Sequence, residues 1–432
     1  MPHSTYYHLA ISNILAREVL DSRGFPTVEV DVMLDNGMKA RASVPSGAST
    51  GAFEALDMRD GDKHRFQGKG VRCVIETIEA DIFQLLQGHR VDQQRKIDRM
   101  LCDLDGTENK SKLGANATLA VSMACAKVAS RAYKMPLFRY LGGVGAHTLP
   151  MPLINIINGG AHANNGLDIQ EFMIVPVAAR TFMEALELSA AVFHTLKLLL
   201  KKRGISTAVG DEGGVAPRLG GTEEALDLIM EAIVDSGLMP GEHIALALDV
   251  AASEFYDANK GLYVYGGRDQ DSPSMIAVYS KLVDDYPLVS IEDPLDQEDF
   301  KGFAEMTRTL GHRLQIVGDD LFVTHKKRLE KGIAHGAGNA ILIKLNQIGT
   351  VTETLDVIAQ AQRAGYKTVI SHRSGETEET FIADLAVAMN AGQIKTGSLC
   401  RSERTAKYNQ LLRIAECLGS TAHFAVDAFM KW

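Results

Sequence analysis

LQIVGDD (314–320) and NAILIKLN (339–346) decide how this chain is read. Each run is short, aliphatic and stopped by charge, at Asp319 and Asp320 in the first and at Lys344 in the second. This pattern predicts buried parallel strands, each delivering a charged side chain at its C-terminal end. The spacing predicts a helix over 323–336 between them, so the unit is strand–helix–strand.

The unit recurs on both sides. IALALDV carries Asp249, LVSIEDP carries Glu292 and Asp293, KTVISHR ends at His372 and Arg373, and QIKTGS carries Lys395. The steps from Glu292 to Asp319, Lys344, His372 and Lys395 are 27, 25, 28 and 23 residues. That is the pitch of a (β/α) barrel, in which polar residues at strand C-termini face the active site. One such residue is as well explained by a strand running out into solvent. Six in phase with six strands are not.

The 432 residues exceed one typical domain and leave room for a barrel of roughly 250 residues beside a second domain. Toward the N-terminus, VEVDVML and MKARASV flank Asp35-Asn36-Gly37, a hairpin signal. PSGASTGAFEA (45–55) reads either as a surface linker or as a lid offering hydroxyls to a ligand. Residues 71–86 and 116–132 have helical patterning, which makes the first domain α+β. Gly142-Gly143-Val144-Gly145 then breaks the chain. No clear strand precedes it and no helix can follow, so it is a domain boundary rather than a dinucleotide fingerprint. The expected division is 1–143 and 144–432. MPLINIINGG and IQEFMIVP, with Gln170 and Glu171, read as two successive strands, followed by helices over 181–203 and 222–237. Between these helices, AVGDEGGVAP holds Asp211 and Glu212 in what alone would pass for a solvated turn. Residues 253–274 form an insertion containing Tyr256, Tyr263 and Tyr265, and further helices are expected over 378–391 and 401–418.

Hydrophobic content of 46% is ample for a large core, and the net charge of −9 gives no basic footprint for nucleic acid. An anionic substrate would need local cations or metal. Five cysteines, with no CxxC pair, fit reduced thiols in a cytoplasmic protein. No signal peptide is read at the N-terminus, and the Leu-rich run at 196–202 is too short to span a bilayer.

Asp249, Glu292 and Asp319 are hard oxygen donors at three successive strand ends, a set suited to Mg²⁺. No HxH, HExxH or Cys/His cluster points to zinc. Lys344 and Lys395 are either salt-bridge partners of these acids or bases. Burial and nearby cations would lower a lysine pKa, and a neutral lysine can remove a proton α to a metal-bound carboxylate. Arg373, Ser374 and Lys395 are donors suited to phosphate.

SGASTG, DSRGFPT, QEFMI, GDEGG, LDVAASEFY, SIEDP, GDDLFVT, LIKLNQIG, SHRSGET and KTGS…RSER…KYNQLLRI together resemble the enolase (phosphopyruvate hydratase) family in its bacterial form, from about residue 14 to 418. A lysine base with one or two Mg²⁺ ions is the known arrangement of such sites. The resemblance implies an N-terminal capping domain and a (β/α)8-type barrel with atypical first strands. It implies reversible dehydration of 2-phosphoglycerate to phosphoenolpyruvate, with Lys344 as base, Glu212 as the acid toward the 3-hydroxyl, and Glu171 assisting. It assigns Asp249, Glu292 and Asp319 to a first Mg²⁺, and Ser49 to a second that arrives with substrate. Substrate contacts fall to His162, Gln170, His372, Arg373, Ser374 and Lys395. A homodimer or higher homo-oligomer is also implied. Secondary surface display, with plasminogen as partner, is a further association of the family. Phe25, Asn164, His325 and Cys400 depart from its usual pattern, all outside the assigned positions. Two other readings are an acid-sugar dehydratase of the same superfamily, whose usual KxK base motif ends no strand here, and a non-catalytic binding protein that kept the fold.

Overall fold

The computed structural model describes residues 9–47 and 51–429. The N-terminal part opens with three antiparallel strands, β1 (Ile11–Leu20), β2 (Pro26–Leu34) and β3 (Lys39–Ser43). The β2–β3 connection is the expected Asp-Asn-Gly turn, with Gly37 at φ +82, where a side chain would be strained. Val28, Val30 and Val32 are fully buried on one face of β2. That face meets the helix Ala115–Ala132, whose many alanines favour helix and allow a close approach to the sheet. The expected helix over 71–86 is present from Arg72 to Leu86, with a π-helical turn at Ile78–Ile82.

The rest of the chain closes an eight-stranded barrel. Its strands are β4 (Met151–Asn158), β5 (Glu171–Val175), β6 (Ala245–Asp249), β7 (Leu288–Glu292), β8 (Gln315–Gly318), β9 (Ala340–Ile343), β10 (Lys367–Ser371) and β11 (Gly392–Lys395). They are ordered β4 to β11 around the ring, and β11 pairs with β4. β5 runs antiparallel to both neighbours, and all other pairings are parallel. Only an antiparallel neighbour can follow β4 without a helical crossover, and 159–170 contains none but a short 3-10 turn. Two consecutive helices, Phe182–Lys202 and Thr222–Asp235, then precede β6. From there strand and helix alternate regularly.

Two helices are shorter than the sequence pattern suggests. The helix after β8 spans Lys326–His335 because Val323 and Thr324 adopt φ of 43 and 50, and His325 caps its first turn. The helix after β10 spans Phe381–Ala388, because the Glu379 carboxylate accepts from the Thr380 and Phe381 amides. The 253–274 insertion contains a small antiparallel sheet, with strands at Tyr256–Asp257, Leu262–Tyr265 and Arg268–Gln270. The N-terminal part sits over the strand C-termini. Ser46 and Gly375 exchange backbone hydrogen bonds of 2.7 and 2.8 Å, and Lys127 Nζ lies 2.8 Å from Glu379. Among the described residues, no helix is long and apolar enough to cross a membrane.

Candidate active site

Each β-strand from β6 to β11 ends in the residue expected of it. Asp249, Glu292 and Lys395 are the last residues of β6, β7 and β11. Asp319, Lys344 and His372 directly follow β8, β9 and β10. Because β5 is reversed, its first residue, Glu171, pairs with Asp249 and joins the same rim. His162, Gln170, Glu171, Glu212, Asp249, Lys344, His372, Arg373, Ser374 and Lys395 line one cavity at this end of the barrel. Ser49 lies outside the described residues.

Lys395 sits among acids, with Nζ 3.0 Å from Glu171, 2.7 Å from Asp249 and 2.9 Å from Glu292. Burial alone would lower its pKa, but these carboxylates hold it well above the ordinary lysine value. Lys344 pairs directly with Asp319. The expectation of a lowered Lys344 pKa does not hold in this arrangement. Burial pulls it down, but the Asp319 and Glu292 carboxylates together outweigh burial and raise it.

Glu171 and Glu212 form a second group with His162. Asn155 Nδ2 donates to both carboxylates, at 2.9 Å to Glu171 and 3.2 Å to Glu212. Burial and the neighbouring Glu212 push Glu171 well above the carboxylate range. Burial also pushes Glu212 up, but adjacent His372, His162 and Arg404 outweigh it and hold Glu212 well below that range. His372 Nε2 lies 3.4 Å from Glu212, and burial lowers the His372 pKa to about 4.

Arg373 reaches Glu54 at 2.9 Å and Asn346 Oδ1 at 2.9 Å, which ties the 51–55 segment to the site. Gln347 Nε2 bridges Asp319 (2.9 Å) and Glu54 (3.2 Å). Asp319 also belongs to a compact acid group with Asp293 and Asp320. The Asp293 carboxylate accepts from the backbone amides of Asp319 (2.9 Å) and Asp320 (2.6 Å). Burial and Asp319 push Asp320 up to about 8.

The metal expectation meets a specific geometry. Of Asp249, Glu292 and Asp319, only Asp319 falls in a described group whose ligand atoms all lie within 4.8 Å of one another. Asp249 and Glu292 are instead joined through Lys395. The donor chemistry nonetheless fits a hard cation. Seven carboxyl groups (171, 212, 249, 292, 293, 319 and 320) share this rim with Lys344 and Lys395. Burial, Asp249 and Asp319 raise Glu292 despite Lys395, the mark of an acid excess that a divalent cation would relieve.

Glu54, Asn155, Asp293, Gln347 and Arg404 also join the site, through contacts that the sequence pattern does not single out. Asn155 carried a readable signal as a polar residue inside the apolar run MPLINIIN. The others lie inside motifs already singled out, but their roles depend on contacts between distant segments.

Residues 11–141 match the family model for the enolase N-terminal domain, and residues 146–432 match the model for the enolase C-terminal TIM barrel domain. The chain belongs to the enolase family.

Proposed function

We propose that this member of a lyase family catalyses the reversible, Mg²⁺-dependent dehydration of 2-phosphoglycerate to phosphoenolpyruvate. The observation that carries the reading is topological. β5 and β9 are four places apart in a ring of eight, so Glu171 and Lys344 rise from opposite walls of one barrel. A base on one side of a bound three-carbon acid and a proton donor on the other suit loss of the C2 proton and of the 3-hydroxyl from opposite faces.

Lys344 acts as the base in its neutral form, which burial favours once Asp319 is engaged elsewhere. The Glu171–Glu212 pair, spanned by Asn155, supplies the proton to the departing hydroxyl. His162, Gln170, His372, Arg373, Ser374 and Lys395 hold the substrate, with Arg373 and Ser374 suited to its phosphate. Asp249, Glu292 and Asp319 would hold one Mg²⁺ and Ser49 would contribute to a second. Held by these residues, such ions would supply positive charge against the carboxylate of the substrate. We place the capping domain at 1–143 and the catalytic barrel at 144–432, in a cytoplasmic homodimer or higher homo-oligomer.

Ultraviolet absorbance of purified protein mixed with 2-phosphoglycerate tests the reading. A rise from the enol phosphate with Mg²⁺ that EDTA abolishes supports both substrate and metal. No rise in a folded sample with Mg²⁺ overturns it in favour of a different acid substrate or a binding role.

A further inference from the structure

Arg404, in the first turn of the helix Ser402–Leu418, is 0% exposed. Its guanidinium is almost fully used. One terminal nitrogen, Nη1, meets His372 Nδ1 at 2.5 Å and the Arg373 carbonyl at 2.6 Å. The other, Nη2, donates to the Ser374 carbonyl at 2.6 Å and the Asp211 carbonyl at 3.2 Å. Nε faces Glu403 at 3.5 Å. Gly397, at φ +82, makes room, because a Cβ there would lie 2.7 Å from Arg404 Cδ and 2.8 Å from the Glu212 carbonyl.

Arginine has five N–H donors, no acceptor, and keeps its charge in proteins. A ring nitrogen facing it at hydrogen-bond distance must therefore offer a lone pair. That leaves His372 Nδ1 without hydrogen and excludes the doubly protonated ring, so the ring hydrogen is on Nε2. Nε2 is the atom on the Glu212 side, 3.4 Å from Oε2, close to it but without a formed hydrogen bond in the substrate-free site.

We infer that Arg404 is a positioning residue that sets His372 as the neutral Nε2–H tautomer and places that N–H on the Glu212 side of the ring. The same guanidinium holds the carbonyls flanking both segments, 373–374 and 211, so it sets the separation of the two side chains as well as the tautomer. Its consequence for catalysis rests on the reading of Glu212 as part of the acid pair. A histidine that presents Nε2–H can donate to the carboxylate or to a substrate oxygen. It cannot take the proton destined for the leaving hydroxyl. The opposite tautomer would turn a lone pair toward Glu212 and compete for that proton.

Nitrogen-15 spectroscopy of the histidine-labelled native protein without substrate is the direct test, with the His372 signals assigned by their loss in His372→Gln. The expected result at pH 7 is a pyrrole-type Nε2 and a pyridine-type Nδ1. An Nδ1–H or doubly protonated ring overturns the inference. This measurement needs no turnover, so it can fail while the dehydratase reading stands, or hold while that reading fails. In folded Arg404→Met the ring should populate Nδ1–H, and dehydration should fall by up to about 10⁴-fold, the scale of a histidine held in the wrong tautomer. Exchange of the C2 proton, which uses Lys344, should fall far less. A folded Arg404→Met that keeps pure Nε2–H overturns the role given to Arg404, and equal loss of exchange and dehydration does the same.

Discussion

Replacing Lys395 with Met tests whether the barrel rim carries more negative charge than its lysines offset. The substitution keeps the length and most of the volume of the side chain and removes only the cation. Its Nζ is within 3.0 Å of Glu171, Asp249 and Glu292, and the lysine side chain is 3% exposed. Breaking a buried pair by removing one partner costs about 3–5 kcal/mol. A second route gives a similar ceiling. Asp249, now held below its ordinary value chiefly by Lys395 against the effect of burial, can escape by taking up a proton. From an ordinary carboxyl pKa near 4, that costs about 1.4 kcal/mol per pH unit, or about 4 kcal/mol at pH 7. The pH sign follows. In the native protein the lowered Asp249 stabilises the fold above its ordinary pKa. In the variant its folded pKa is raised, so stability is full below pH ~4 and is lost as pH rises through the new value. The gap between the two proteins should thus shrink from about 4 kcal/mol at pH 7 to about 1–2 kcal/mol at pH 5. Urea unfolding of both proteins in EDTA at these pH values measures it. A gap below about 1 kcal/mol, or one independent of pH, would refute the argument, because buried charge repulsion must titrate. Added Mg²⁺ should stabilise the variant more than the native protein, since a cation bound only by the folded state supplies what the lysine supplied. Equal gains would mean that these acids are not the ones taking up the ion.

Lys344→Ala should remove exchange of the substrate C2 proton, by at least the 10²–10⁴-fold typical of a lost general base; exchange near the native rate would end its assignment as the base. Glu212→Gln should keep C2 exchange and lose dehydration, as followed by isotope exchange beside enol-phosphate absorbance; equal loss of both would mean that Glu212 acts before the acid step. Asp384 is 4% exposed, accepts from the Phe138 amide and from Gln410 Nε2, and is pushed by burial up to about 6. Its contribution to stability is thus full below pH 4 and lost as pH rises through about 6, a difference of roughly 3 kcal/mol. Asp384→Asn should abolish that slope and be the more stable protein at pH 8 in chemical denaturation; an unchanged slope would place the titration elsewhere.

The barrel was legible because parallel strands buried on both faces read as short aliphatic runs, and the charge ending each run is the part that faces the site. Asp249, Glu292, Asp319, Lys344, His372 and Lys395 all lie where their runs stop, so their placement follows strand by strand. Glu171 was harder, because it begins a strand. Only the reversal of β5 brings it to the rim beside Asp249. Glu212 looked like a solvated turn acid, since nothing in GDEGG announces that Asn155, His372 and Arg404 will enclose it.

The same division explains the lysines. Residue type and position name Lys344 and Lys395 as site groups, but their charge state depends on which carboxylates touch them. That is decided by the packing of β5 to β9 and of β11, not by local pattern. Each lysine is held charged by acids from other strands, Lys344 by Asp319 and Lys395 by Glu171, Asp249 and Glu292. A base must be freed before it can act, so the substrate-free site is arranged to keep Lys344 protonated. Under the proposed reaction, Asp319 would hold a divalent cation, and its carboxylate would then no longer be free to raise Lys344 against burial. A cation site and a freed base would then share a single origin, the excess of carboxylate at the strand ends.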